Sequence, residues 1–138
     1  MFERYTEKAR RVIFFARYEA SLCGGMSITT EHLLLGLLRE DQSILSRFIH
    51  DTSLDNLRAE IEARIDMHEK VPASIDLPLS EANKRILAYA DEESRRLQTG
   101  HVGTEHLLLG ILREEKCGAA EILRGHGVGL DAVRDALA

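Results

Sequence analysis

The first predicted helix follows from the spacing of apolar residues after Thr6. Val12, Ile13, Ala16 and Ala20 lie within a few positions of one another, at the intervals that place side chains on one face of an α-helix. Arg17 and Glu19 are the charged residues between them, and Phe14, Phe15 and Tyr18 are the others. Because a threonine is a good N-cap, the pattern predicts an amphipathic helix that begins at Thr6 and buries one face.

A run of three leucines dominates the second predicted helix, which spans Thr30 to about Glu40. Successive leucines point to different sides of a helix, so we expect this helix to be buried on more than one side. We interpret Thr30 as its N-cap, and Glu31 lies in the first turn, where an acid complements the helix macrodipole. A short third helix around Leu45 and a fourth helix from Leu54 complete the pattern.

The whole pattern recurs in the second half of the chain. The residues TEHLLLG that begin at Thr30 begin again at Thr104, a shift of 74 positions, and the shift becomes 76 near the C-terminus. Thr104 is therefore interpreted as a second N-cap. The sequence predicts a single all-α domain of eight helices, built as two four-helix repeats related by a pseudo-twofold axis. We place repeat one at about 1–66, a linker with both prolines at about 67–78, and repeat two at about 79–138.

Composition and charge exclude several classes of partner. The chain is 44% hydrophobic and 30% charged, as in ordinary folded proteins, and its net charge of -5 would repel a nucleic-acid backbone. The charged N-terminus has neither a signal-peptide core nor a membrane span, which favours the cytoplasm. Cys23 and Cys117 stand apart in the sequence, which suits reduced thiols. We therefore expect no nucleic acid and no membrane as partners.

Catalytic and metal-binding motifs are absent from the sequence. The histidines lack the spacing of zinc ligands, and no serine lies in a recognisable nucleophile turn. The segment with Gly125, Gly127 and Gly129 is not followed by the lysine and the serine or threonine of a phosphate loop, so we interpret it as a turn. The sequence predicts a binding module with no catalytic residue, no metal site and no cofactor.

The repeated helix starts are the best candidates for a ligand site. Thr30 and Glu31 in repeat one, and Thr104 and Glu105 in repeat two, have one structural interpretation as well-capped acidic helix starts. The functional interpretation is that N–H groups at a helix N-terminus attract an anion, while the neighbouring carboxylate pairs with a cation. Such a site would suit a ligand that carries charges of both signs.

The first helices of the two repeats each carry one further notable group of side chains. Phe14 and Tyr18 lie one turn apart where repeat two has Ala88 and Glu92, so the shared fold does not require an aromatic pair. They predict either a partner-facing patch or extra packing against the linker. The acidic run at 91–93 is expected on a solvated face.

The first residues, MFERYTEKA, and the two segments TEHLLLGLLRE and TEHLLLGILRE resemble the N-terminal domain of Clp chaperone ATPases, with the ClpC type nearest. The resemblance covers essentially the whole chain and both repeats. It implies the eight-helix Clp N-domain fold, attached ahead of an AAA+ unfoldase that feeds a ClpP-type protease. The implied partners are adaptor proteins and protein substrates, with the AAA+ ring in cis if the chain is part of a longer one.

The resemblance also implies a ligand for the repeated helix starts. ClpC-like relatives recognise phosphorylated arginine, with the glutamate of the motif at the guanidinium and the following helix start at the phosphate. The matching pairs here are Thr30 with Glu31 and Thr104 with Glu105.

The chain departs from the family pattern in repeat one. Relatives commonly have glycine before the first TEH, where this chain has Thr29, while Gly103 keeps the glycine in repeat two. If glycine lets a ligand approach the backbone, Thr29 narrows the first site, so we expect Glu105 to be the stronger of the two acids. Repeat one also has DQS at 41–43 in place of the glycine-rich stretch that usually follows the second helix.

A secondary surface and an alternative function complete the expectations. Phe2, Leu79 and Leu87 correspond to a surface that binds peptides or small molecules in some relatives.

The alternative to a docking domain is a free-standing regulatory or small-ligand-binding module with the same repeat. A Walker A motif after the linker would favour the docking domain. An enzyme that acts on phosphoarginine is disfavoured, because no nucleophile or metal set is positioned for it.

Overall fold

The computed structural model describes residues 2–66, 69–72 and 76–138. Within these ranges eight α-helices form, which confirms the all-α prediction, and two isolated β-bridges accompany them. Part of the predicted linker, at 67–68 and 73–75, lies outside the described residues. None of the helices in the described ranges is both long and apolar enough to cross a membrane. The helices are α1 (Glu7–Cys23), α2 (Thr30–Glu40), α3 (Gln42–Ser46), α4 (Leu54–Ala63), α5 (Glu81–Arg96), α6 (Thr104–Arg113), α7 (Gly118–Gly125) and α8 (Leu130–Leu137).

The N-cap of α1 is the predicted Thr6, and α5 is capped by Ser80, 74 positions later in repeat two. Thr6 and Ser80 precede these helices with extended backbone. The hydroxyl of Thr6 accepts a hydrogen bond from the N–H of Ala9 at 3.1 Å, and that of Ser80 accepts from Asn83 at 3.1 Å. These bonds satisfy N–H groups that have no partner inside the helix.

The N-caps predicted for α2 and α6 are wrong by one residue. The caps are Thr29 and Gly103, while Thr30 and Thr104 are the first helical residues and are buried. The histidine of each TEH motif decides this. Its ring accepts a hydrogen bond from the N–H three positions earlier, which fixes that earlier residue as the cap.

Each half is built on a close crossing of its first two helices, α1 with α2 and α5 with α6. The glycine that ends each TEHLLLG motif lies at the crossing. A Cβ on Gly36 would collide with the carbonyl oxygen of Val12, and a Cβ on Gly110 would lie 2.5 Å from the carbonyl oxygen of Ile86. The glycines therefore set how closely the helices approach. The leucines of both motifs are buried around these crossings.

The two halves exchange short extended segments. Tyr5, which precedes α1, forms a β-bridge with Val102, which precedes α6 in the other half. Leu79, which precedes α5, forms the equivalent bridge with Ile28, which precedes α2. The backbone hydrogen bonds are 2.8 and 3.0 Å long in both bridges. Residues that differ by 74 positions therefore make the same pairing, as expected of two repeats.

The helical contact between the halves is less symmetric than the bridges. The N-terminal part of repeat two's α7 packs against α2 and also meets α4. The equivalent contact of α3 with α6 is smaller, because α3 has 5 residues and α7 has 8. The surroundings of the two TEH motifs therefore differ.

The expectation that the acidic run of α5 lies on a solvated face is wrong for Glu93, which is 1% exposed. Arg134 of α8 donates two hydrogen bonds of 2.8 Å to its carboxylate, and Arg113 of α6 donates a third at 3.1 Å. The hydrogen bonds from Arg134 are the main reason that the pKa of Glu93 is lowered. In repeat one, Arg58 of α4 holds Glu19 in the same way, at 2.8 and 3.0 Å. Arg39 of α2 also donates to Glu19, at 3.4 Å. A buried carboxylate thus joins three helices in each half.

Candidate functional site

The N-terminal turns of α2 and α6 rest on buried histidines. His32 and His106 are 2% and 1% exposed. Nδ1 of each ring accepts a hydrogen bond from the backbone N–H of the cap, at 3.1 Å from Thr29 and 2.8 Å from Gly103. Burial lowers the pKa of both imidazoles, so each ring is neutral and carries its hydrogen on Nε2. The histidine of the motif is therefore a capping group.

Glu105 uses the space that a glycine cap leaves free. A Cβ on Gly103 would overlap Oε1 of the Glu105 carboxylate. This oxygen is buried without a hydrogen-bond partner among the described residues, although it lies 3.2 Å from Nδ1 of His106. That contact is not an ion pair, because Nδ1 already accepts the N–H of Gly103. Glu105 turns back over the start of its own helix.

Glu31 takes a different position in repeat one, where the cap is Thr29 and carries a side chain. Its carboxylate lies against Gly118, the first residue of α7, so that a Cβ there would collide with Oε2. The hydroxyl of Thr30 donates to Oε1 of Glu31 at 2.9 Å and accepts from the N–H of Ala119 at 3.4 Å. The N-terminal turns of α2 and α7 therefore meet around one carboxylate.

Thr104 in repeat two meets an acid where Thr30 meets a helix start. Its hydroxyl donates to Oδ2 of Asp41 at 2.7 Å. Asp41 is the N-cap of α3, and its Oδ1 accepts from the N–H of Ile44 at 3.3 Å and from the hydroxyl of Ser43 at 2.6 Å. Burial alone would raise the pKa of Asp41, but these hydrogen bonds and the charge of Lys8 together lower it. An ionised carboxylate occupies the start of α3.

An open cavity of about 210 Å³ adjoins the start of α2. Its lining includes Gly25 of the preceding loop, Glu31 and His32 of α2, and Arg64 and Asp66 after α4. Glu31 thus borders both this cavity and the first turn of α7.

Comparison with known proteins identifies the fold that carries these sites. The family model described as the Clp repeat (R) N-terminal domain matches residues 4–126. The chain belongs to this family. The ClpA homolog of Cyanidium caldarium, an ATP-binding subunit of ATP-dependent Clp protease, is 40% identical over 136 residues, which are 97% of this chain and 16% of that protein.

Two further relatives of this Clp N-terminal domain agree with the match. ClpC/MecB of Bacillus subtilis, a negative regulator of genetic competence, is 35% identical over 97% of this chain and 16% of its own length. The crystal structure of the N-terminal domain of the chaperone ClpD from Arabidopsis thaliana superposes with a TM-score of 0.76 at 27% identity, and the match covers 99% of this chain and 94% of that one. The chain spans about one sixth of the length of the curated relatives it matches.

The residues of the predicted secondary surface do not all line one cavity. In this Clp N-terminal domain, Leu87 and Tyr5 line a cavity of about 360 Å³ beside α5. The ring of Phe2 packs edge to face on Tyr5, with centroids 5.0 Å apart. Leu79 is not part of that lining and pairs through its backbone with Ile28. Of the three predicted residues, only Leu87 lines this cavity; Phe2 packs on its Tyr5, and Leu79 lies at the other bridge.

The aromatic pair of α1 lies on the surface of the Clp domain. Phe14 is 62% exposed and Tyr18 is 37% exposed. The guanidinium of Arg39 lies 5.2 Å from the ring of Tyr18 and 4.7 Å from that of Phe15, so cation–π contacts cover one side of these rings. The role of Phe14 and Tyr18 as a partner patch stays a prediction.

The sequence did not reveal Gly118 and Asp41 as neighbours of the TEH motifs. Both lie in the half opposite the motif that they adjoin, Gly118 beside Glu31 and Asp41 beside Thr104. Helical periodicity carries no information about such contacts. The one available signal was the sequence DQS at 41–43, which departs from the family pattern. Within the part of the chain that the structure describes, no group of three or more His, Cys, Asp or Glu side chains could hold a metal ion, and Cys23 and Cys117 are free thiols.

Proposed function

We propose that this domain docks adaptors and substrates for a ClpC-type AAA+ unfoldase that works with a ClpP-type protease in the cytoplasm, and that it recognises phosphoarginine on marked proteins. The observation that carries the proposal is the position of the Glu31 carboxylate against the first turn of α7. The adaptor, the substrate and the AAA+ ring are the partners, and the domain itself contributes binding without catalysis or a cofactor.

Phosphoarginine fits this junction because it carries a donor group and an anion side by side. The Glu31 carboxylate accepts from the guanidinium N–H groups. The first N–H groups of α7 have no partner within the helix. Ala119 donates to Thr30 Oγ1 at 3.4 Å and Ala120 donates to the thiol of Cys117 at 3.4 Å, and both bonds are weak. Phosphate oxygens replace these acceptors at a helix N-terminus that favours negative charge.

The same chemistry is weaker in repeat two. The helix that faces Thr104 is α3, which has 5 residues, and the Asp41 carboxylate already occupies its start. The N–H of Ile44 already donates to this carboxylate, so a phosphate would have to displace Asp41. Glu105 is turned toward its own cap. We therefore place the principal site at Glu31, which reverses the order that the sequence favoured on the strength of Gly103.

Calorimetric titration of a peptide with one phosphoarginine tests this assignment. Wild type is compared with Glu31→Gln, Glu105→Gln and the double variant. Loss of the charge-assisted hydrogen bonds in Glu31→Gln is expected to weaken binding at least about tenfold. The matched Glu105→Gln variant is expected to weaken it by less than about threefold.

The unphosphorylated peptide and two glycine variants serve as controls. Gly118→Ala places a methyl group where the Glu31 carboxylate lies and should weaken phosphoarginine binding, whereas Gly103→Ala displaces only Glu105 and should not. Unchanged affinity in the double glutamine variant would contradict the whole assignment. A greater loss in Glu105→Gln than in Glu31→Gln would restore the order that the sequence favours.

A further inference from the structure

The two motif histidines differ in the partner of Nε2. In repeat two, Nε2 of His106 lies 3.4 Å from the hydroxyl of Thr99. In repeat one, Nε2 of His32 is buried and has no hydrogen-bond partner among the described residues. Because Nδ1 accepts the N–H of the cap in both repeats, Nε2 is a donor in both. A buried donor without an acceptor is unfavourable, so His32 is suited to meeting an acceptor from outside.

One difference between the repeats explains the unpaired donor. The residue 74 positions before Thr99 is Gly25. The residues before them, Gly24 and Gln98, both have left-handed backbone, with φ of 69° and 59°, so the two loops share this turn. A Cβ on Gly25 would lie 3.4 Å from Cε1 of His32. The side chain that partners the histidine in repeat two is therefore missing in repeat one, beside the cavity at the start of α2.

The cavity has an excess of negative charge. Glu31 and Asp66 contribute two carboxylates to its lining, and Arg64 contributes one guanidinium. Arg64 lies 3.3 Å from Glu121, which offsets its charge. Glu31 accepts from the neutral hydroxyl of Thr30. The cavity therefore favours a ligand with a cation, while its imidazole requires a hydrogen-bond acceptor on the same ligand.

We propose that this cavity binds an unmodified basic amino-acid residue, with its carbonyl oxygen at Nε2 of His32 and its side-chain cation beside Glu31 and Asp66. The cavity has a volume of about 210 Å³ and is open to solvent, so a single side chain can enter it. A lysine or arginine within a peptide and the free amino acid share this chemistry. The site shares Glu31 with the phosphoarginine site, but it uses neither a phosphate nor the first turn of α7, so it does not rest on the proposed function.

The imidazole N–H signal of His32 in a nitrogen-15 NMR spectrum gives a direct measure of this binding. The probe is Nα-acetyl-lysine N-methylamide, and its norleucine analogue, which lacks the cation, is the matched control. The lysine probe is expected to shift the His32 signal, and the norleucine probe is not. Free lysine forms a separate arm, and tighter binding of the blocked probe would identify a peptide residue as the preferred source.

Gly25→Thr reproduces the arrangement around His106 and is expected to weaken the lysine probe at least about tenfold, because the new side chain fills the cavity and partners Nε2. Repeat two already has threonine at this point of its loop. Asp66→Asn changes an exposed side chain and should also weaken binding, which keeps the test valid if Gly25→Thr does not fold.

Three results would overturn the proposal. The first is a His32 N–H signal that does not shift when the lysine probe is added. The second is an equal shift in wild type and in Gly25→Thr. The third is a signal that a trapped water at Nε2 explains without the probe. The phosphoarginine peptide is titrated against the same variants. Gly25→Thr keeps Glu31 and α7 intact and should bind that peptide as wild type does, so this inference and the proposed function can fail separately.

Discussion

The buried imidazoles of His32 and His106 hold the N–H groups of the residues three positions before them. This capping leaves the first helical residues free of a capping role. Thr30 and Thr104 can therefore reach across to the other half, where they meet α7 and the cap of α3. Capping by the histidines thus leaves the two threonine hydroxyls available for contacts between the halves.

Gly103→Ala is expected to move Glu105 and to change the free energy of unfolding by less than about 1 kcal/mol. The added Cβ overlaps only the far end of a flexible side chain, and the backbone at Gly103, with φ of -104°, accepts alanine. A crystal structure of the variant and urea unfolding would check both points. The converse variant, Thr29→Gly, should let Glu31 turn back as Glu105 does. Strong destabilisation by Gly103→Ala would show that the backbone at the cap depends on glycine.

Helix physics was enough to single out Glu31 and Glu105 from the sequence, because an acid in the first turn beside free N–H groups is a local pattern. It could not determine where their carboxylates point. The direction of the Glu105 carboxylate depends on Gly103 in the same repeat. The direction of the Glu31 carboxylate depends on Gly118, which lies in the other half. The identity of the cap was missed because a histidine three residues on is a less familiar capping partner than glutamate or glutamine.

The glycines at the helix crossings determine the packing of α1 on α2 and of α5 on α6. Gly36→Ala would drive a methyl group into the backbone of Val12 and to 2.8 Å from the nitrogen of Ala16. Forcing the helices apart is expected to destabilise the domain by about 2–3 kcal/mol in urea unfolding. Gly100→Ala, at a position with no atom within 4 Å of the added Cβ, is the control and should change stability by less than about 0.5 kcal/mol. A loss in Gly36→Ala as small as that in Gly100→Ala would mean that the crossing tolerates a larger residue.

Periodicity predicted the helices well because each buries a continuous apolar face. It failed for Glu93, whose charge looked like part of a solvated surface. Arg134, which binds it, lies 41 positions later on α8. An ion pair of this kind becomes visible only when the packing of α5, α6 and α8 is known.

His126 joins the two halves of the molecule at the turn between α7 and α8. Its Nδ1 lies 2.8 Å from Asp51 and its Nε2 lies 2.7 Å from Glu60, both in repeat one. The hydrogen bond with Glu60 is the main reason that the pKa of His126 is raised. Burial lowers this pKa, and the hydrogen bond with Asp51 raises it further. The pair of Arg64 with Glu121 spans the same contact.

The raised pKa predicts a specific dependence of stability on pH. Protonated His126 stabilises the fold fully below the pKa of the unfolded chain, about 6.5, and this contribution is lost as pH rises through the folded pKa. His126→Gln should therefore destabilise the domain more at about pH 6 than at about pH 8.5. Buried His32 and His106, with lowered pKa values, act in the opposite direction in both proteins, so the difference between the two urea curves isolates His126. A pH-independent difference would contradict the ion-pair role.

The crossed β-bridges make neither repeat complete by itself. A chain of one repeat would have the segments of Tyr5 and Ile28 without their partners, and two such chains would satisfy each other about a twofold axis. The domain thus has the architecture of a homodimer whose two copies are joined in one chain. Fusion makes the association intramolecular and independent of concentration. It also allows the two copies to differ, which a true homodimer cannot do, as at Gly25 against Thr99 and at Asp41 against Glu115.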